Sequence, residues 1–507
     1  MAQVVLSFQY EIEKSTWGAT SLAGLPIYLD LMIRAHLHET LNRHVGVRVG
    51  GQGWSDYEVV SSLVLLNIAG GECVEDLRVL EGDEGFCRLM DRVRHHGMRR
   101  KDRRELERRF RKDRERSVPS PSSVFCYLSE FHDSDQELLR PAQEDFIPSP
   151  NAYLAGFRWV NGNLAAFAPR QDCQEVATLD MDATLVESGK SEARYCYKKF
   201  KGYQPLNTWW AEHELVLHTE FRDGDVPAGY EQSRVFREAL ELLPEGVKTV
   251  RLRSDTAGYQ LDLLAFCEKG QSKRFGRIEF AIGCDVTAPF KQAVSEVPES
   301  EWQPIYKEID GKREKTDREF AEVCFVPKEI AHSKNAPVHR YLATREVVRQ
   351  LILPGLEDSD CLPFPSLSMA ETKYKVHGIV TDMDWEGSRL VNWLYARCGK
   401  SEEAHAVMKE NLAGGRLPSG DFGENAAWWW IMILAFNLNS IMKRQVLGQG
   451  WAPRRMKAIR FHVIRLAGRV IKRSRQLFVR LAQDHPSTGL LMEARYKIAR
   501  LSPVPSG

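Results

Sequence analysis

The feature that most limits what this chain can fold into is the stretch 177–186, Ala-Thr-Leu-Asp-Met-Asp-Ala-Thr-Leu-Val, an apolar run with two carboxylates in its middle. Alternate residues of a strand face the same way, so Asp180 and Asp182 are expected to project together. Neighbouring like charges destabilise a strand unless something neutralises them, and a divalent cation is the common remedy. The plainer alternative is a strand end at which one Asp opens a turn. A second run favours the first reading: Val-Lys-Thr-Val-Arg-Leu-Arg at 247–253 is followed by Ser254-Asp255-Thr256. Two buried strands that each deliver an Asp at the carboxyl end predict a metal site at one edge of an α/β sheet.

The flanks suit a polyanionic partner. A chain of 507 residues with 43% hydrophobic content has room for several domains and a real core, which excludes a disordered protein. The formal net charge of +1 hides an asymmetry: 91–116 holds 13 Lys/Arg against 6 acids, and 443–507 holds 15 against 2. Two basic segments flanking a carboxylate-bearing core match a nucleic-acid substrate. Ten cysteines stand singly with no C-x-x-C pair, which argues against a zinc ribbon or a disulfide framework. They are expected to be reduced, mostly buried thiols of a cytoplasmic protein. No signal-peptide pattern opens the chain, and the longest apolar run, 426–436, is too short to span a bilayer, so no membrane partner is expected.

In chain order, a strand is expected at 4–10 and a helix at 25–37. Ser55-Asp56 can cap a helix that runs to 68, Gly70-Gly71 ends it, and another helix starts at 74. That pattern fits either a helix-turn-helix or an ordinary αα-hairpin. The arginine-dense segment 92–116 is either a solvated, salt-bridged helix or a DNA-backbone contact, and 117–123 reads as a linker. From 176 the pattern becomes α/β: the first Asp-bearing strand, strands at 195–201 and 212–221, a helix at 231–243, the second Asp-bearing strand, a helix at 259–269, a strand at 277–282 and a helix at 289–297. Three strands suited to antiparallel pairing, then helix-strand-helix-strand, is the order of the ribonuclease H fold. In that fold the first and fourth strands are adjacent, which would bring Asp182 and Asp255 together.

Residues 299–374 break the alternation, carry Trp302 and read as an insertion; a strand at 376–381, a helix from 388 and an apolar helix at 425–442 follow. In the basic tail, 461–470 and 476–481 form a hairpin or two short helices. The expected class is therefore α/β: a ribonuclease H-like core, a mixed five-stranded sheet with flanking helices, interrupted by a β-rich insertion and preceded by a mainly helical N-terminal region. The expected divisions are 1–170 (DNA-binding), 171–298 and 375–445 (the two parts of the core), 299–374 (insertion) and 446–507 (basic region).

A two-metal nuclease needs a third acid, and the candidates are Asp382, Asp384, Glu386, Glu402 and Glu403. Here the text Tyr395-Ala-Arg397-Cys398-Gly-Lys-Ser-Glu402-Glu-Ala-His405-Ala-Val-Met-Lys409 resembles the Y-x2-R-x3-E-x6-K signature of bacterial insertion-sequence DDE transposases. Cys398 stands at the signature's Arg position, with Arg397 one residue early. The stretches 412–419, 422–428 and 434–438 also resemble the C-terminal region of that family.

The resemblance implies that Asp182, which Thr184 follows two residues later, Asp255 and Glu402 are the catalytic, metal-holding carboxylates, with Asp180 as the fallback for the first. Their spacings are 73 (255 − 182) and 147 (402 − 255) residues. It further implies Mg²⁺, with Mn²⁺ as a substitute, and double-stranded DNA as partner: the inverted repeats at transposon ends, which are cut, and a target to which they are joined. A homodimer on paired ends and a bacterial cytoplasmic, nucleoid-associated location follow from the same resemblance. Tyr395, Arg397 and Lys409 are then DNA contacts; Lys409 lies seven residues after Glu402, about two helical turns along one face. His405 is a further contact or an ordinary helix-surface His, and Trp302 a base-stacking platform or an ordinary buried Trp.

Two rivals remain at this point. Asp180-Met-Asp182-Ala-Thr184 also fits the D-x-D-x-T motif of haloacid-dehalogenase-type phosphatases, with Asp180 as nucleophile. The other is a transposase-derived DNA-binding protein that has lost catalysis.

Overall fold

The computed structural model describes residues 17–502 apart from 49–51, 97, 111–114, 142–144, 171–173, 310, 329–338, 349–363, 370–371 and 475. The strand expected at 4–10 lies outside the described residues. The chain forms two compact units: Ser134–Ser149 with Asn161–Lys409, and Met1–Asp133 with Pro150–Val160 and Glu410–Gly507.

The first of these is built on one large sheet. Its strands are β1 (Val176–Ala183), β2 (Leu206–Trp210), β3 (Leu215–Glu220), β4 (Thr249–Ser254), β5 (Glu279–Cys284), β6 (Gln303–Ile309), β7 (Lys312–Val323), β8 (Arg340–Val347) and β9 (Thr372–Thr381). The order across the sheet is β6-β7-β8-β9-β5-β4-β1-β2-β3, with Ser366–Met369 pairing on β9 as a tenth strand. β1, β4 and β5 are parallel neighbours, and β2 and β3 run antiparallel beside β1. The second core strand is thus 206–210 and not 195–201, where the chain instead makes a small hairpin of Arg194–Tyr195 and Lys201–Tyr203. Leu206, Asn207 and Thr208 are buried, so a strand of mixed polarity there carries little periodic signal.

The sheet is also twice as wide as the five strands expected. The stretch read as a separate insertion supplies β6, β7 and β8, and β9 joins them to β5 by antiparallel pairing. They share one core with the rest: Ile305, Phe320 and Leu342 pack with Ala281, Ile379, Leu390, Val391 and Leu394. The last three belong to the helix α4 (Gly387–Tyr395), the fourth of the labelled helices after α1 (Gln232–Leu240), α2 (Leu261–Glu268) and α3 (Ala288–Ser295). Glu386 starts α4 by accepting from the backbone N–H groups of Ser388 and Arg389 at 2.8 and 2.9 Å. A short helix α5 (Lys400–Ala406) follows, and at Val407–Asn411 the helix widens into a π-turn.

The other unit is mainly helical. Ser55 and Glu58 form a reciprocal cap at the start of Asp56–Ala69, and Gly70 closes it at φ 101°, a conformation open to glycine at little cost. That helix is buried along nearly its whole length, and the helix after the glycine turn, Leu77–Glu81, has five residues. An exposed recognition helix is therefore not what this αα pair offers. Asp56–Ala69 packs against Phe422–Ile441, a helix whose twenty residues are all buried. The stretch 117–123 is not a free linker: Val118 is fully buried, and Ser120 caps the helix Pro121–Leu128. The arginine-dense segment divides into Glu84–Arg94 and Arg100–Arg108, the latter with no buried residue. The basic tail resolves as a hairpin, Gly468–Arg473 with Gln476–Leu481, extended by Ala19–Thr20.

Among the described residues, no single helix is long and apolar enough to cross a membrane. The eight described cysteines are free; Cys196, Cys267 and Cys284 are buried, while Cys73, Cys126, Cys324 and Cys398 are exposed, contrary to the mostly buried set expected.

Candidate functional site

Parallel pairing places Leu179 beside Leu252, Asp180 beside Arg253 and Met181 beside Ser254. One step further, at the carboxyl ends of the two strands, stand Asp182 and Asp255. Both line a cavity of about 410 Å³, together with Tyr197, Gln204, Asp225 and Ala257. The Asp255 side chain accepts from the backbone N–H of Ala257 at 3.1 Å, starting a tight turn that leaves the carboxylate exposed.

Asp180 is not the metal-facing partner expected of a D-x-D strand. The guanidinium of Arg253 holds it in a bidentate pair, Nε to Oδ1 at 2.6 Å and Nη2 to Oδ2 at 2.8 Å, with both side chains buried. Burial pushes its carboxyl upward, opposed by Arg253 and Arg397. The like-charge problem of the strand is thus solved by an arginine at Asp180 and remains only at Asp182. The same pair removes the phosphatase alternative, since a carboxylate enclosed by a forked guanidinium is not available as a nucleophile.

Asp182 is the perturbed group of the site. Its carboxyl is pushed up to about 6, first by burial, then by the charges of Asp255 and Glu402, against the opposing pull of Arg397 and a hydrogen bond from Ser401. Arg397 Nη2 lies 3.5 Å from Asp182 Oδ2 and is itself largely buried. Two acids and one base therefore act on Asp182 from β4 and from the α4–α5 region. The chain departs from the signature at Cys398, and Arg397 does not stand as a free DNA contact: it holds the first aspartate.

Glu402 sits in the first turn of α5, exposed, and its Oε2 accepts from the backbone N–H of Gly399, capping its own helix. Two of the other third-acid candidates are committed elsewhere. Asp382 accepts from Arg277 at 3.0 Å and from the Phe280 N–H at 2.8 Å, and Glu386 caps α4.

The remaining expected DNA contacts lie as follows. His405 is not a surface residue: it is buried, its Nε2 stands 3.3 Å from Asn207 Nδ2, and burial with nearby Lys409 and Arg397 lowers its pKa to about 4. Asn207 Oδ1 accepts from Thr219 Oγ1 at 2.7 Å, so its amide hydrogens face His405, whose Nε2 is assigned as the acceptor. Asn207 is also the cross-strand partner of Asp182, which ties α5 to the strand of the site. Tyr395 packs against the core with its hydroxyl 3.1 Å from Thr344 Oγ1, and burial raises its pKa. Lys409 lies in the π-turn that follows α5 and donates to the Leu185 carbonyl at 3.1 Å. Trp302 is buried, with Arg345 over its ring at 4.2 Å, and is a packing residue with no free face for a base.

Among the described residues, no three His, Cys, Asp or Glu side chains stand close enough to hold one ion as they lie. The donor set nonetheless fits a divalent cation in its chemistry: hard carboxylate oxygens, two of them lining one cavity, with the more buried one driven upward by burial and by the neighbouring charges of Asp255 and Glu402. Arg253, Asn207, Ser401 and Asp225 are the site residues that sequence reasoning missed.

Residues 365–503 match the family model described as transposase DDE domain, group 1. The chain carries a DDE transposase domain. The matched part of the chain contains Tyr395, Glu402 and Lys409, and Asp182 and Asp255 precede it. An enzyme of this class cleaves and transfers DNA strands. No curated protein matches the chain. Among solved structures, it is similar to a piggyBac transposase synaptic complex with hairpin DNA, at 11% identity and a TM-score of 0.42, covering 88% of this chain and 79% of the other.

Proposed function

We propose that this transposase binds the terminal inverted repeats of a mobile element, cuts the element's ends and joins them to target DNA, working as a homodimer on double-stranded DNA. The observation that carries this reading is the meeting of Asp182 and Asp255, 73 residues apart in sequence, on one cavity wall, with the charge of Glu402 also reaching Asp182. The order β3-β2-β1-β4-β5, three antiparallel strands followed by two parallel ones, supports a ribonuclease H-like core.

Asp182, Asp255 and Glu402 would hold the divalent ions, Mg²⁺ or Mn²⁺, which supply Lewis acidity at the attacked phosphodiester when bound. The rest of the work belongs to the chain. Arg397 and Ser401 fix the Asp182 carboxylate. His405, kept neutral, pins α5 to β2 through Asn207, so that Glu402 projects from a helix whose position is set by the strand carrying Asp182. Glu402, exposed at the helix start where it caps Gly399, would join the ion-holding set by a change of side-chain rotamer. The paired Asp180–Arg253 beneath the site excludes water and keeps the floor rigid.

A plasmid carrying this chain's coding sequence with its flanking DNA is the substrate for the test. Wild-type protein is expected to nick it with Mg²⁺ or Mn²⁺ and not with EDTA. Asp182→Asn and Glu402→Gln are expected to retain the DNA in a mobility-shift assay and cut none of it. Cutting by Asp182→Asn, or no cutting by the wild type with either metal, refutes the proposal.

A further inference from the structure

The small hairpin between β1 and β2 is not used by the chemistry described above, yet it borders the same cavity. Its base is fixed. Gly202 lies so close to the Val186 carbonyl that a Cβ there would stand 2.2 Å from the oxygen, Cys196 is buried at the turn, and Tyr203 packs on Phe221 with ring centroids 4.8 Å apart. Arg194 pairs with Asp225 at 3.0 Å and donates to the Pro141 carbonyl at 3.1 Å. The backbone closes on itself at the tip, where Cys196 N–H donates to Phe200 O and Lys199 N–H to Cys196 O, both at 2.9 Å, with Lys199 at φ 66°.

From this pinned base two tyrosines stand out into solvent. Tyr195 is 65% exposed and Tyr197 72% exposed, and Tyr197 is also part of the cavity wall that carries Asp182 and Asp255. A tyrosine ring held in water by a rigid turn gives up apolar burial, which nothing in the fold returns. Each ring has a lysine ammonium above it, Lys198 at 5.8 Å from Tyr197 and Lys201 at 5.9 Å from Tyr195, and Lys199 is exposed beside them. Aromatic faces alternating with ammonium groups are what an unpaired nucleic-acid strand requires: rings for the bases and cations for the phosphates. The charge layout agrees: Asp182, Asp225 and Asp255 line the cavity, and the two residues that follow its lining Tyr197 are the exposed Lys198 and Lys199.

We propose that this hairpin is the strand-holding element of the site. Tyr197 stacks on an unpaired base next to the phosphate that enters the cavity, and Lys198 and Lys199 contact the flanking backbone. The inference rests on the reading of the site as one that cuts DNA, and it assigns to the hairpin the placement of the strand.

The probe is a thymidine oligonucleotide with one central 2-aminopurine, titrated into the full-length protein and followed by fluorescence. Tyr197→Ala is expected to weaken binding roughly 5- to 150-fold, the range that follows from removing one stacked base. It should also abolish the fluorescence change, whereas Tyr197→Phe keeps both. The Lys198→Ala/Lys199→Ala double variant should flatten the dependence of log affinity on log salt by about 0.7 for each phosphate no longer neutralised. Thermal unfolding of all variants should match the wild type, since the side chains are exposed. Tyr197→Ala binding with wild-type affinity and signal overturns the inference. In a wild type that cuts DNA, that result refutes the hairpin's role alone; a wild type that neither cuts DNA nor binds the oligonucleotide refutes the reading of the site along with it.

Discussion

Replacing Asp182 by Asn should make this protein more stable while abolishing its activity, and the size of the gain can be worked from the site. The folded-state pKa is about 6 against an ordinary value of 3.8, with burial the largest cause and Asp255 and Glu402 adding to it. That net figure already includes the attraction of Arg397. A folded pKa raised above the unfolded one means that the folded state holds the proton more tightly, so stability is greatest at low pH and is lost as pH rises from 3.8 towards 6. Two pKa units correspond to about 3 kcal/mol of strain at pH 8, which Asn, uncharged and nearly isosteric, removes. At pH 5 about half of that remains, because the folded carboxyl is then mostly protonated. Urea unfolding followed by hydrogen exchange on peptides from β1 and β4 reads the local stability at both pH values. The same relief should come to the wild type from millimolar Mg²⁺ and not to the Asn variant. An Asn variant that is no more stable at pH 8, or whose gain is equal at pH 5 and pH 8, refutes the reasoning.

Three further outcomes are expected. Arg253→Met should destabilise the protein by about 3–5 kcal/mol, because it leaves Asp180 charged and buried without a partner; the Arg253→Met/Asp180→Leu double variant should recover most of the loss in the same urea titration. His405, with its pKa lowered from 6.5 to about 4, contributes stability that is present above pH 6.5 and lost as pH falls through that interval. The full loss is about 3 kcal/mol, of which about 2 has appeared by pH 5, and His405→Gln, which keeps an acceptor for Asn207, should not show it in unfolding curves taken at pH 7.5 and pH 5. Glu402→Gln should change the melting temperature little, since the side chain is exposed and an amide oxygen can still cap Gly399. It should nonetheless remove cleavage of the plasmid substrate, and retention of cleavage would exclude Glu402 as the third acid.

Much of the core is legible in the residues because its strands announce themselves. The runs at 177–186 and 247–253 are short and rich in β-branched and apolar residues; the first carries Asp182 and the second is followed by Asp255, the two aspartates that the structure places in the cavity. The hidden parts are those whose side chains are polar and buried. β2 carries Asn207 and Thr208 inside the protein, where the Asn207 amide finds partners in His405 and Thr219, so its pattern does not alternate. The three strands β6, β7 and β8 read as a separate insertion because charged residues dominate 307–318, and only the inward set of Ile305, Phe320 and Leu342 marks them as part of the main sheet.

The numbering itself separates the two aspartates of β1. Asp180 and Asp182 invite a metal reading as a pair, and the strand period alone cannot choose between them. Arg253 stands 73 residues after Asp180, the same interval that separates Asp255 from Asp182. If β1 and β4 are parallel neighbours in the register that joins the two aspartates, that register also sets Arg253 opposite Asp180, as the structure has it. A planar guanidinium beside one carboxylate and a second carboxylate beside the other then assign the roles. The first pair is neutralised and becomes floor, and the second, left with excess negative charge, is where a cation is wanted. The same logic reaches the third acid with less force, because Glu402 is brought in by helix packing, whose register depends on His405 lying buried against Asn207 and on a π-turn that no spacing rule anticipates.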